Sequence, residues 1–193
     1  RRNFLKLAEA AGAGTVISEY SSAVGAALQT ANDEDVEVVW LQGQGCTGCT
    51  ISTLQGEYPS LEGAINAFRL GVTFHPTIMG PAGDEAIESM SKSPDVLVVE
   101  GAIPTDMPEA ATLGLDEEGH HKPLLDWVEE LAPKSQYVVA AGNCAAFGGW
   151  PAAENKKGLY DLGPNVTGAK GLQFEGREKG GVLGADFTSG AGL

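Results

Sequence analysis

The sequence predicts an α/β protein: a flavodoxin-like, doubly wound parallel sheet with helices on both faces. Short β-branched and aliphatic runs, typical of buried strands, alternate along the chain with segments of helical periodicity. That alternation requires crossover connections, and crossovers produce a mainly parallel sheet. A chain of 193 residues, 42% hydrophobic and 20% charged, is long enough to bury one substantial core.

Four runs are typical of strands. The first is VEVVWLQ at 36–42, which is β-branched and aromatic and stops at a glycine. VTFH at 72–75 is closed by a proline, DVLVVEG at 95–101 is an apolar run of the buried type, and QYVVAAGN at 136–143 supplies the fourth strand. We expect these strands to lie in the order 2-1-3-4.

Three segments between the strands are predicted to be helices. SLEGAINAFRLG at 60–71 has apolar residues at helical spacing. GDEAIESMSK at 83–92 has acids in its first turn and lysine in its last, which suits the helix dipole. HKPLLDWVEELAPK at 121–134 is amphipathic, with one apolar stripe.

Residues 1–35 are predicted to be a leader and a linker. The opening RRNFLKLAEAAGAGTVI sets Arg1 and Arg2 before a run of small apolar residues, which resembles a twin-arginine export signal. That pathway moves folded proteins across the membrane. The alternative is an amphipathic surface helix.

Charge excludes one class of function. The net charge is −14, from 26 acidic against 12 basic residues, and a nucleic-acid-binding surface needs clustered lysine and arginine. We therefore expect no nucleic-acid partner. No apolar run is long enough to encode a spanning helix.

The cysteines follow strand ends. Cys46 and Cys49 follow the first strand, Glu100 ends the third, and Cys144 follows the fourth. Sites in open parallel sheets lie outside the carboxyl ends of the strands. In the expected order, strands one and four flank strand three and are roughly 10 Å apart, at ~4.8 Å per strand. The three thiols are therefore predicted to converge at one edge of the sheet.

Three kinds of site use such cysteines. A thioredoxin-like dithiol needs only C-x-x-C and leaves Cys144 without a role. Structural zinc commonly uses two cysteine or histidine pairs, whereas His75, His120 and His121 are predicted to be surface or capping residues. An iron–sulfur cluster takes four thiolates and tolerates ligands from separate loops. The pattern favours the cluster, with a fourth cysteine expected beyond Leu193.

Three motifs carry a family resemblance. VVWLQGQGCTGCT at 38–50, VVEGAIPT at 98–105 and AAGNCAAFGGWPA at 140–152 follow a twin-arginine leader, and in this order they resemble the small subunit of [NiFe] hydrogenases. The resemblance covers most of residues 36–170. The related cluster-binding subunit of respiratory complex I shares the fold but typically has adjacent cysteines where this chain has C-T-G-C.

The resemblance implies that residues 36–193 are a flavodoxin-like iron–sulfur domain, without the family's C-terminal cluster domain. Cys46, Cys49 and Cys144 correspond to three ligands of the proximal [4Fe–4S] cluster, and further clusters belong to the missing part. Glu100 corresponds to the acid of the family's V-E-G motif. The implied role for Glu100 is a proton relay or a carboxylate behind the ligands that accepts loop N–H bonds.

The resemblance also implies partners and a location. The nickel–iron site belongs to a large subunit, so this chain is expected to hold no catalytic residue and to pass electrons to a membrane cytochrome or another acceptor. The complex would be exported to the periplasm or the outer face of the cytoplasmic membrane. A complex I-like quinone oxidoreductase subunit and a non-redox, zinc-stabilised binding module are the alternatives.

Overall fold

The computed structural model describes residues 35–153, 164–175 and 178–184. The predicted leader and linker, apart from Asp35, lies outside the described residues. In the described part of the chain, no helix is long and apolar enough to cross a membrane.

Four parallel strands form the central sheet. They are β1 (Val36–Gln42), β2 (Leu70–Phe74), β3 (Val96–Glu100) and the later β7 (Tyr137–Ala141). Their order is β2-β1-β3-β7, which confirms the 2-1-3-4 order expected from the sequence. The register sets Gln42 beside Glu100, and Glu100 beside Ala141, so three strands end at the same level.

Five helices connect and flank these strands in the described residues. They are α1 (Gly48–Leu54), α2 (Leu61–Phe68), α3 (Asp84–Ser89), α4 (Leu124–Leu131) and α5 (Gly142–Phe147). The α2 helix begins at Ser60, whose side chain accepts the N–H of Gly63, as an N-cap serine does. Short 3₁₀ turns at Pro108–Ala110 and Ala132–Lys134 complete the helical segments.

Three small antiparallel pairs lie outside the main sheet. The strands are β4 (Ile103–Pro104) with β8 (Ala169–Lys170), β5 (Thr112–Leu115) with β6 (His121–Pro123), and β9 (Phe174–Glu175) with β10 (Glu178–Lys179). The β8 strand therefore lies back against the domain, because it pairs with β4, which comes shortly after the third central strand.

The larger apolar cluster lies on one face of the sheet. Val39, Leu41, Leu97 and Val99 alternate along β1 and β3 and pack with side chains of α3, α4 and α5. The opposite face carries a smaller cluster built on Val36, Val38 and Val98, with Trp40 packed against it. The polar ends of this second face, at Gln42 and Glu100, lead to the candidate site.

One predicted helix starts later than expected, and one helix was not predicted. The helix predicted at 121–134 begins only at Leu124, because His121–Pro123 pair with the preceding strand to form the β5–β6 hairpin. Pro123 has an extended ψ of 147° and ends that strand. The helix α1 was not among the predicted helices, and its short sequence GCTISTL is rich in hydroxyl and β-branched residues, which favour helices weakly.

Candidate functional site

The three cysteines follow the carboxyl ends of β1 and β7. Cys46 lies in the loop after β1, Cys49 in the first turn of α1, and Cys144 in α5. Cys46 is exposed, and the other two thiols are half-buried. The C-x-x-C and G-x-C motifs therefore lie at the same edge of the sheet, as the strand order requires.

A left-handed residue shapes the C-x-x-C turn. Thr47 has φ 60° and ψ 11° and is the residue from which α1 starts. A β-branched residue rarely adopts positive φ, so the surrounding contacts must hold this conformation. Cys46 therefore precedes the helix, whereas Cys49 lies in its first turn.

Glycines leave room for the sulfurs. A Cβ added to Gly142 would lie 2.3 Å from Cys49 Sγ, and one added to Gly149 would lie 2.7 Å from Cys144 Sγ. A Cβ added to Gly48 would lie 3.0 Å from Cys46 Sγ. The first turn of α5, which carries Cys144, therefore contacts the Cys49 thiol directly, and a side chain at these positions would occupy the space beside the sulfurs.

The three thiols also interact electrostatically. Partial burial raises the pKa of the Cys49 thiol, and the nearby Glu100 carboxylate and the Cys46 and Cys144 thiols raise it further. Cys49 is therefore protonated in the metal-free protein at neutral pH, and metal binding has to release its proton.

Glu100 forms the centre of a buried hydrogen-bond network behind Cys49; the residue is only 3% exposed. Its Oε1 accepts the backbone N–H groups of Cys49 at 3.0 Å and Thr50 at 3.2 Å. Its Oε2 accepts bonds from Trp40 Nε1 at 3.1 Å, Gln42 Nε2 at 3.0 Å and Thr50 Oγ1 at 2.5 Å. Glu100 thus joins the ends of two strands to the first turn of α1.

These bonds keep the carboxylate ionised. Burial raises the pKa of Glu100, but the hydrogen bonds from Thr50, Gln42 and Trp40 lower it more, and the result lies below the ordinary value. The contacts are those expected of a strand-end carboxylate that accepts loop N–H bonds. The alternative role of Glu100 as a proton relay stays a prediction.

His75 is not the surface residue that the sequence suggested. It is 4% exposed and stacks against Trp40, with ring centroids 5.0 Å apart. Burial lowers the pKa of its imidazole, the Glu100 charge opposes that shift, and the ring is neutral at neutral pH. His120 and His121 are exposed, as predicted.

Sequence reasoning missed Thr50, Gln42 and His75 as members of this network. For Gln42 the sequence did indicate a position near the site. It lies two residues after Trp40 at the end of an apolar strand, so the two side chains lie on the same face of the sheet. No local pattern identifies Thr50 or His75, since their partners are distant in the sequence.

The residues present fit a group held by thiolates. Within the described ranges, no three His, Cys, Asp or Glu side chains already stand as a metal-binding group. The three cysteines nevertheless meet at one edge, and glycines keep side chains away from their sulfurs. Thiolates with closely approaching backbone are the donor set that iron–sulfur clusters use.

The chain matches known proteins in sequence. The family described as "NADH ubiquinone oxidoreductase, 20 Kd subunit" matches residues 46–179, a range that includes all three cysteines. The chain is 37% identical over 185 residues to the periplasmic [NiFeSe] hydrogenase small subunit of Desulfomicrobium baculatum, covering 90% of this chain and 55% of that protein. It is 30% identical over 184 residues to the hydrogenase-2 small chain of Escherichia coli K12, covering 90% and 44%.

The chain is also similar in structure to solved hydrogenases. The reduced, active Ni-Fe-Se hydrogenase from Desulfomicrobium baculatum superposes with a TM-score of 0.63 at 35% identity, over 72% of this chain and 50% of that chain. The actinobacterial-type NiFe-hydrogenase from Ralstonia eutropha H16 gives 0.64 at 31% identity, over 82% and 46%. These likenesses confirm the flavodoxin-like fold and the resemblance drawn from the motifs. The chain spans about half the length of these relatives.

Proposed function

Because this chain belongs to the NADH ubiquinone oxidoreductase 20 Kd subunit family and resembles hydrogenase small subunits over 90% of its length, we propose that it is the electron-transfer subunit of a [NiFe] hydrogenase. In this role it carries electrons between a nickel–iron site in a large subunit and an acceptor, such as a membrane cytochrome. The observation that supports this proposal most is the meeting of C-x-x-C and G-x-C at one sheet edge.

Cys46, Cys49 and Cys144 hold a [4Fe–4S] cluster in this proposal. When bound, the cluster supplies one-electron storage close to the partner's active site. The three thiolates leave one iron for a ligand that the cysteines of this sequence do not provide. The role of the Glu100 network is to hold the first turn of α1, and with it Cys49, against the sheet.

Exposed apolar side chains support a partner at this edge. Ile51 and Leu54 on α1 are 48% and 46% exposed, and Phe147 and Trp150 beyond Cys144 are 41% and 75% exposed. These four residues flank the cysteine motifs along the chain, where a large subunit has to approach for electron transfer. Contact there would exclude water from the thiolates.

A second candidate has one observation in its favour. The description of the matching family names an NADH–ubiquinone oxidoreductase subunit. The C-T-G-C spacing and the likeness to several hydrogenase small subunits favour the hydrogenase instead.

The test is a spectroscopic and catalytic assay of the complex purified with its natural partner. We expect iron, broad visible absorption, paramagnetic resonance signals of reduced clusters, and reduction of a dye by hydrogen. Zinc in place of iron would contradict the proposal. An iron-loaded complex that couples NADH to a quinone without hydrogen activity would support the second candidate.

We further propose export by the twin-arginine route, so that the complex faces the periplasm. Exported metalloproteins of this kind are loaded before transport, and the paired guanidinium groups of Arg1 and Arg2 offer a geometry that lysine does not reproduce. Replacing both with lysine (Arg1→Lys with Arg2→Lys) is expected to leave the complex in the cytoplasm, with its dye reduction retained. Cell fractionation measures this. Undiminished periplasmic activity would make the leader an ordinary surface helix.

A further inference from the structure

Thr50 makes an unusual pair of bonds to Glu100. Of the residues that donate to this carboxylate in the described structure, Thr50 alone bonds both oxygens, through its N–H to Oε1 and its hydroxyl to Oε2. The residue is 1% exposed and follows Cys49 directly. Because two bonds from one residue span the carboxylate, they fix its rotation as well as its position.

The direction of the hydroxyl bond is set by its surroundings. Gln42 Nε2 donates to Thr50 Oγ1 at 2.9 Å and to Glu100 Oε2 at 3.0 Å, and the carboxylate, which only accepts, fixes the amide orientation, so that Gln42 Oε1 accepts the Thr77 hydroxyl at 3.2 Å. His75 Nδ1 accepts the Thr77 N–H at 3.1 Å, so the proton of the neutral ring is on Nε2, 3.5 Å from Thr50 Oγ1. With donors on its acceptor side, the Thr50 hydroxyl must give its own proton to Glu100.

The hydrogen bonds of Glu100 extend to the backbone of Cys49. The Glu100 oxygen that accepts the Thr50 N–H also accepts the Cys49 N–H, in the first turn of α1. Loss of the Thr50 hydroxyl would remove one of three donors from the other oxygen, and it would leave more of the carboxylate charge uncompensated beside Cys49.

We infer that Thr50, with His75 behind it, is a positioning residue that locks Glu100 against the Cys49 backbone and thereby tunes the reduction potential of the cluster. The inference rests on the proposed function, since it needs a cluster at Cys49. Thr50 touches no reacting atom itself and acts through Glu100.

The test is a redox titration of the purified complex, followed by the paramagnetic resonance of the cluster at this site. Thr50→Val replaces the hydroxyl with a methyl group of similar size. We expect it to shift the midpoint potential to a more negative value and to change the resonance line shape. Thr50→Ser keeps the hydroxyl and is expected to restore both.

A matched control is Ser135→Ala. Ser135 is also 1% exposed, and its hydroxyl donates to Leu131 O at 2.8 Å, at the opposite end of β7 from the cysteines. We expect this variant to keep the wild-type potential. A Thr50→Val complex with the wild-type potential and line shape would overturn the inference, and so would a Ser135→Ala shift of equal size.

Two further results of the experiment also decide the question: failed assembly of Thr50→Val, and a wild-type complex without a cluster. If Thr50→Val does not assemble, His75→Leu takes its place in the same titration, because it removes the Nε2–H donor that faces the Thr50 hydroxyl. A shift of the midpoint potential to a more negative value supports the inference, and an unchanged midpoint potential overturns it. A wild-type complex that holds no cluster would overturn the proposed function itself, whereas a loaded wild-type complex with unaltered variants overturns only the role of Thr50.

Discussion

A Cys144→Ser complex is expected to lose one iron–sulfur cluster, or about four iron atoms, while its secondary structure is retained. A serine hydroxyl does not deprotonate at neutral pH and is a harder ligand than a thiolate. The fold should survive, because the core of α5 is formed by the fully buried Ala145 and not by the half-buried Cys144. Iron content, resonance spectra and circular dichroism measure the three parts of this expectation.

Cys144 is the decisive cysteine to change. A dithiol site would need only Cys46 and Cys49, and would keep its redox chemistry in this variant. Asn143→Ser is the matched control, since it places a serine at the neighbouring exposed position of the same helix. Unchanged iron in Cys144→Ser would show that Cys144 is not a ligand, and equal loss in the control would show that the loss does not depend on the Cys144 thiol.

The strands and their order could be predicted because each strand is a local apolar run. DVLVVEG contains its whole strand, and the alternation with helical segments fixes parallel pairing. The position of Glu100 and of the cysteines follows from the strand ends alone. The ligand role of Cys46, Cys49 and Cys144 stays a prediction.

The features that the sequence analysis missed or placed wrongly depend on contacts between distant residues. The α1 helix has only seven residues, and its first N–H groups are bound by Glu100, about fifty positions away in the chain. His75 is buried against the ring of Trp40, which lies 35 positions earlier in the sequence. Helix propensity and polarity describe a residue's local preference, and here the tertiary contacts override both.

Gly142→Ala is expected to prevent cluster loading almost completely. Gly142 has φ +86°, and its added Cβ would lie 2.3 Å from Cys49 Sγ, a separation that atoms cannot adopt. Either the Cys49 thiol or the first turn of α5, which carries Cys144, must move, and in both cases the present placement of the two thiols is lost. Alanine at positive φ also costs about 1–2 kcal/mol of stability through backbone strain.

Gly119→Ala separates the two effects. Gly119 has nearly the same φ, +85°, but nothing lies within 4 Å of its added Cβ. We expect this variant to lose a comparable amount of stability in urea unfolding while its iron content and resonance spectrum stay those of the wild type. If both variants lost iron equally, backbone strain would explain the result. If Gly142→Ala held a full cluster, the space that this glycine leaves beside Cys49 Sγ would not be needed for cluster loading, and the expectation would be wrong.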